Sequence, residues 1–271
     1  MKTFFLRKGH NLKIDGAPKL SLHNSKIPEF VTFHPSRIKS FKTKLLVKLG
    51  DAVKVGTPLF FDKNNSDIMY VSSVSGEVVD ILFGDRRIVK SIKISNDKSY
   101  NSENVDTKVN KEVLMKSGLW SLIRQKPFSK VPNSDSIPKS FYISAMPTEP
   151  FAINCNFLFS NVDNYIQHGI NILKEIFNCE IHFSSNKDSA FKSLDNVNHY
   201  TFNELHPAGN IGIQIHHINP IKDSRDTRWY LSMQDLNNIG FYFKKSKYPN
   251  FKYFSVGGNG VSEPGYYKTL L

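Results

Sequence analysis

The sequence predicts a multidomain α+β and α/β chain, a small all-β module followed by a parallel α/β layer. Between Lys44 and Ser95 the apolar residues come in short runs broken by Gly, Pro, Asp and Asn, the pattern of small strands joined by tight turns. From Phe141 onward such runs alternate with stretches of helical spacing, and strand, helix and strand in succession predict a parallel sheet with crossover helices. Between the two patterns, Lys98 to Lys111 is rich in Asn, Ser and Asp and has almost nothing to bury, so it reads as a connection. The 271 residues thus divide into a β module over 1–100, a linking helix and loop over 101–135, and an α/β domain over 136–271. Units of this size bury a core without disulfides or structural metals.

In the β module the strand candidates are Leu45 to Leu49, Pro58 to Phe61, Ile68 to Val71, Val78 to Phe83 and Ile88 to Ile94. Gly50-Asp51 and Gly84-Asp85 mark turns in which glycine supplies the positive φ that a β-carbon disfavours. Glu112 to Gln125 carries Val113, Leu114, Leu119, Trp120, Leu122 and Ile123 at helical spacing, interrupted by Gly118. Pro127 and Pro132 then force an extended loop. Phe141 to Ala145 is a predicted strand, Asn161 to Phe177 a helix and Glu180 to Phe183 a strand. Val162, Ile166, Ile170, Leu173 and Phe177 line one face of that helix, and Ser160 with Asp163 forms a start signal. Tyr230 to Met233, Gln234 to Phe243 and Lys252 to Val256 repeat the order strand, helix, strand.

A formal net charge of +12 invites a nucleic-acid reading. The lysines are spread along the chain, however, with Lys244, Lys245 and Lys247 the tightest group. The charge therefore reads as a solvated surface near membrane lipids or acidic partners, and no nucleic acid is expected. The run Thr3 to Leu6 is too short for a signal segment, and no stretch approaches the roughly 18 apolar residues of a spanning helix, so direct membrane insertion is not expected. Cys155 and Cys179 form no CxxC, which argues against a zinc site or disulfide framework and fits a reducing cytoplasm.

Three features could carry chemistry. The stretch Gly50 to Phe60, followed by Ser72 to Ile81, resembles the half-repeats of the biotinyl/lipoyl-like barrel-sandwich hybrid, and Lys63 lies where carrier domains of that shape hold a modified lysine. The carrier signature around it is absent, which favours an ordinary loop lysine. His206, His216 and His217 are close in sequence, but there is no HExxH, no acidic residue lies between Leu205 and Asn219, and on a strand His216 and His217 would face opposite ways. Packing or a contact with a partner is the expected use, and no metal. Gly209 and Gly212, like Gly257 to Gly260, could present backbone N–H groups to an anion, but short glycine clusters are usually turns and no GxGxxG or GK[ST] occurs.

Together with the hybrid-like module, the segments Ser117 to Pro132, Ser144 to Ala152, His206 to His216 and Arg228 to Gly240 occur in an order similar to the alpha subunits of the bacterial sodium-translocating NADH:quinone reductases, Na+-NQR. That family is distantly related to a subunit of the Rnf complex and to the flavin-bearing subunit of complex I. The resemblance implies a barrel-sandwich hybrid followed by a Rossmann-like α/β domain. It also implies a non-redox subunit on the cytoplasmic face of the bacterial inner membrane, held there by the integral subunits. The complex would use NADH, flavins, iron–sulfur centres, ubiquinone and Na+, with no cofactor in this chain. The interface or quinone-side candidates are Arg124, Phe128, His206, Gly209, Gly212, His216 and Trp229. Flavin-binding relatives carry a glycine-dense loop of the kind GxGGAGFPT where this chain has Ser117 to Pro132, with only Gly118 and with Trp120, Leu122, Ile123 and Arg124 in place of glycines. Gln214 stands where family members commonly have histidine, and the family's C-terminal domains are expected to be missing, as in a truncated form. A stand-alone carrier or a metal- or anion-binding module is the alternative.

Overall fold

The computed structural model describes residues 2–160 and 164–271. Its first two strands pair far along the chain. β1 (Lys2–Phe4) runs parallel to residues 200–202, and β2 (Leu22–Asn24) runs parallel to residues 266–268. Both thus join sheets whose other strands lie beyond residue 100.

The β module comprises β3 (Phe30–Phe33), β4 (Thr43–Leu45), β5 (Ala52–Val53), β6 (Pro58–Asp62), β7 (Asn65–Val71), β8 (Gly76–Phe83) and β9 (Val89–Asn96). They form two small sheets, ordered β3-β9-β8-β5 and β4-β6-β7. Leu59, Val74, Val78, Ile92 and Ile94 are wholly buried between them. Four of the five predicted strands are present; the segment Leu46 to Leu49 is not a strand, because the Asp51 carboxylate accepts the Lys48 N–H (2.9 Å) and curls it into a turn. Gly50 takes φ +84° as expected. Gly84 does not: its φ is −102°, and the left-handed residues of that turn are Arg86 and Arg87, at φ 56° and 57°. The turn is longer than a two-residue hairpin loop, so the positive φ falls further on. The polar stretch after β9 is stitched to the module: the Val55 N–H donates to Asn101 O (2.8 Å), the Glu103 N–H to Val55 O (2.8 Å), and the Thr57 hydroxyl to the Glu103 carboxylate (2.6 Å).

The remaining elements are α1 (Lys111–Lys116), β10 (Arg124–Lys126), β11 (Ser140–Ser144), α2 (Cys155–Phe159), α3 (Tyr165–Phe177), β12 (Glu180–Ser185), β13 (Asn198–Phe202), α4 (Ile211–Ile218), β14 (Arg228–Ser232), α5 (Met233–Lys245), β15 (Phe251–Val256) and β16 (Gly265–Leu270). A six-stranded sheet runs β1-β13-β12-β11-β14-β10, parallel except for β10. The helix predicted to Gln125 ends at Lys116, because Gly118 at φ +82° turns the chain into a 3-10 turn, Leu119–Leu122, and then into β10. The Ser160–Asp163 signal falls partly outside the described residues; Ser160 itself closes α2, its hydroxyl donating to Asn156 O. α3 and α5 pack on one face over Phe141, Ile143, Trp229 and Leu231, and Trp229 is fully buried against Trp120, Phe141 and Phe177. Against expectation, β15 does not extend this sheet. It pairs antiparallel with β16, which pairs with β2 in a separate three-stranded sheet. Among the described residues no helix is long and apolar enough to cross a membrane.

Candidate functional site

A cleft of about 770 Å³ opens where the β module meets the loop after β10. Its walls are the segment Arg37–Phe41, the β6–β7 hairpin, and residues 124–133. The hairpin wall is rigid because aromatic rings brace it: Phe60 stacks on Tyr70 at 4.9 Å, and Phe41 meets Tyr70 edge-on at 5.1 Å. The loop wall is held by Trp120, whose buried indole N–H donates to Pro132 O (2.9 Å).

The cleft is electropositive. Arg37, Lys39, Arg124 and Lys130 face one carboxylate, Asp62, which already accepts the N–H groups of Lys42 (3.1 Å) and Asn64 (3.0 Å). Arg124 is half-buried and donates to the Ser121 and Ile123 carbonyls, and among the described residues no carboxylate lies within ion-pair distance of it. Burial pushes the Tyr70 phenol up to about 12, with the nearby Arg124 charge opposing the rise. The site thus offers a fixed guanidinium, a protonated phenol and flat apolar walls, a combination that suits a planar ligand with polar edges. Of the predicted residues it gathers Arg124 and Phe128, the latter exposed at the rim.

The other candidates lie elsewhere. Trp229 sits in the core, its ring in edge-on contact with Trp120, Phe141 and Phe177. His206 and Gly209 lie beside Thr148 just beyond the carboxyl end of β11, where β12 flanks it on one side and β14 on the other, the usual ligand crevice of an open α/β sheet, and Gly212 and His216 are on α4. Thr148 organises that corner: its hydroxyl oxygen accepts the Gly209 N–H (3.0 Å) and lies 3.1 Å from His206 Nδ1. A β-carbon on Gly209 would stand 2.4 Å from Met146 O and 2.5 Å from Thr148 N, so close backbone approach explains this glycine. The Gly212 N–H is taken by the Asn210 side chain (2.8 Å), which caps α4. Both amides of the proposed anion cradle are therefore already satisfied.

His216 and His217 are on a helix, not a strand, with ring centroids 5.5 Å apart. The helix forms despite its β-branched residues because Asn210 caps it and the buried Gln214 side chain donates to Ser144 Oγ and Ala208 O, both at 2.9 Å. Gln214, flagged only as a departure, is thus the strut that seats α4 on β11. Lys63 lies between β6 and β7, its backbone N–H bound to Lys42 O (2.8 Å). Among the described residues no three His, Cys, Asp or Glu side chains are grouped to hold a metal ion.

A family model described as the NqrA second alpha/beta domain matches residues 105–248, over half of the chain. The chain belongs to the NqrA family. The model of the NqrA N-terminal barrel-sandwich hybrid domain matches residues 4–97, which include the two-sheet β module, and β10 to β14 of the six-stranded sheet lie in the second-domain match. Similar proteins are the NqrA subunits of the Na(+)-translocating NADH-quinone reductases of Histophilus somni strain 2336, 31% identical over 278 residues, and Tolumonas auensis, 29% identical over 278 residues. Their counterpart in Haemophilus influenzae strain PittEE is 28% identical over 279 residues. In each case the alignment covers 98% of this chain and 62% of the relative, so the chain spans less than two thirds of their length. Within the chain, Phe41 and Tyr70 escaped the sequence reading because nothing in a strand-like stretch says which face will meet a loop some sixty residues on. An aromatic at alternate positions beside the hybrid half-repeats was the available signal.

Proposed function

We propose that this NqrA-family chain is a non-redox subunit of a Na+-translocating NADH:quinone reductase, held at the cytoplasmic face of the bacterial membrane through integral subunits. The observation that supports it is the succession of both NqrA domains over nearly the whole chain. In this reading NADH, flavins, iron–sulfur centres and Na+ are handled by the partner subunits, and this chain contributes to assembly. The electropositive cleft supports a place at the quinone end: the lining rings of Phe41, Tyr70 and Phe128 suit a flat ring, and Arg124 can donate to a ring carbonyl.

Expression of a tagged chain beside the complex's membrane subunits tests the assembly reading. Stoichiometric co-purification is expected, and recovery of the chain alone from cells making all subunits would overturn it. In the assembled complex, Arg124→Gln and Phe128→Ala should raise KM for quinone several-fold and leave KM for NADH unchanged. An equal effect on both, or on neither, would remove the cleft from the quinone path.

A further inference from the structure

The β8–β9 ribbon outruns its sheet. β5 pairs with β8 only at Gly76 and Glu77, and β3 pairs with β9 only from Ile92 to Ser95, so among the described residues no third strand pairs with Leu82 to Ser91, where the Ser36 hydroxyl donates to Lys90 O (3.1 Å). A two-stranded ribbon cannot bury its own apolar side chains, and this one does not: Leu82, Phe83 and Ile88 are about half exposed (51%, 49% and 55%). At the tip Arg86 and Arg87 both take left-handed backbone, a conformation that costs free energy for residues with a β-carbon. Among the described residues neither arginine has an ion pair. From Leu82 to Lys90 the sequence places three cations against one carboxylate, Asp85.

We propose that this ribbon tip rests on an anionic lipid surface, with Leu82, Phe83 and Ile88 at the level of the headgroups and Arg86, Arg87 and Lys90 against lipid phosphates. The layout decides for a bilayer over a protein groove: the tip extends past its neighbouring strands, and within nine residues exposed Leu82, Phe83 and Ile88 flank the cationic pair Arg86 and Arg87, the chemistry of an interfacial anchor. The net charge of +12 draws the molecule toward anionic surfaces, and the ribbon tip sets which part of it makes contact. Contact is interfacial and involves no spanning segment. The inference is independent of membership in the reductase; a chain that ignores lipid could still assemble with membrane partners.

Flotation of the purified chain with vesicles of phosphatidylcholine, alone or mixed with phosphatidylglycerol, tests it. Binding is expected only to the anionic vesicles and should weaken in high salt. The double substitution R86E/R87E should lower the partition coefficient by at least about tenfold, since each basic group near such a surface carries roughly a fivefold share. The pair L82S/F83S should lower it at high salt, where the apolar contribution dominates. K222E/R225E, a change of equal charge on a distant exposed loop, should have little effect. Absence of binding to anionic vesicles would overturn the proposal, as would an equal loss in the K222E/R225E control, which would mean adsorption by net charge alone. Far-UV circular dichroism of each variant confirms that the fold is kept.

Discussion

Gly209 and Gly212 share one tetrapeptide and serve different ends. Alanine at 209 drives a methyl group into the backbone of residues 146–148, an overpacking that should cost about 1–3 kcal/mol in urea unfolding. Alanine at 212 meets only side-chain atoms, Asn210 Oδ1 at 3.2 Å and Lys126 Cε at 3.9 Å, and should change stability by less than about 1 kcal/mol. His182 carries a pH signature. Its buried ring lies between Tyr142 (4.6 Å) and Tyr200 (5.6 Å), and burial holds its pKa below the usual histidine value, with Arg228 adding to the drop and Glu180 opposing it. The unfolded chain therefore takes up a proton that folded His182 resists, and stability should fall as pH drops below the unfolded histidine value of about 6.5. H182Q should flatten the pH dependence of Tm in that window. His168, lowered in the same direction by burial and Lys244, leaves a residual slope. An unchanged profile in H182Q would place the acid sensitivity elsewhere.

Among the elements, the 3-10 turn after Gly118 ties the core to the cleft. Trp120→Phe keeps a ring in the core but removes the donor to Pro132 O, and a buried carbonyl left without a partner should cost about 1–3 kcal/mol. Limited proteolysis should then cut more readily within 127–133, the cleft wall that Trp120 holds. Strands beside a glycine turn and helices with a clear apolar stripe were legible: β6 to β9, α3 and α5 lie close to where alternation and spacing put them. What was not legible depended on distant partners. α4 reads as a strand from its isoleucines, and only a cap and a buried glutamine bound to β11 make it a helix. β5 has two residues, too few to show alternation. The site was half legible, since Arg124 and Phe128 came from motif order whereas Arg37, Phe41 and Tyr70 reach the cleft by tertiary packing.

For the whole molecule, the segment Ser117 to Pro132, which the resemblance sets against a glycine-dense flavin loop, is packed into the core over residues 119–123. Trp120 and Ile123 are fully buried and join Trp229 and Phe177 in one aromatic core. The purified chain should be colourless, release no flavin on denaturation, and show no saturable quenching when FMN or NADH is titrated; a yellow preparation with near one flavin per chain would overturn the non-redox reading. The pairing of β1 with β13 and of β2 with β16 has its own consequence for biogenesis. A ribosome extruding this polypeptide releases both N-terminal strands long before their neighbours exist, and β2 must wait until β16 has been translated. The hybrid core, whose strands lie between Phe30 and Asn96, can close early, while the arm before it stays unpaired through most of synthesis, with Phe5, Leu12 and Leu20 open to chaperones. Completion is thus a late, non-local event, and refolding in vitro should show a fast phase for the hybrid core followed by a slower one in which the two ends of the chain are sewn together.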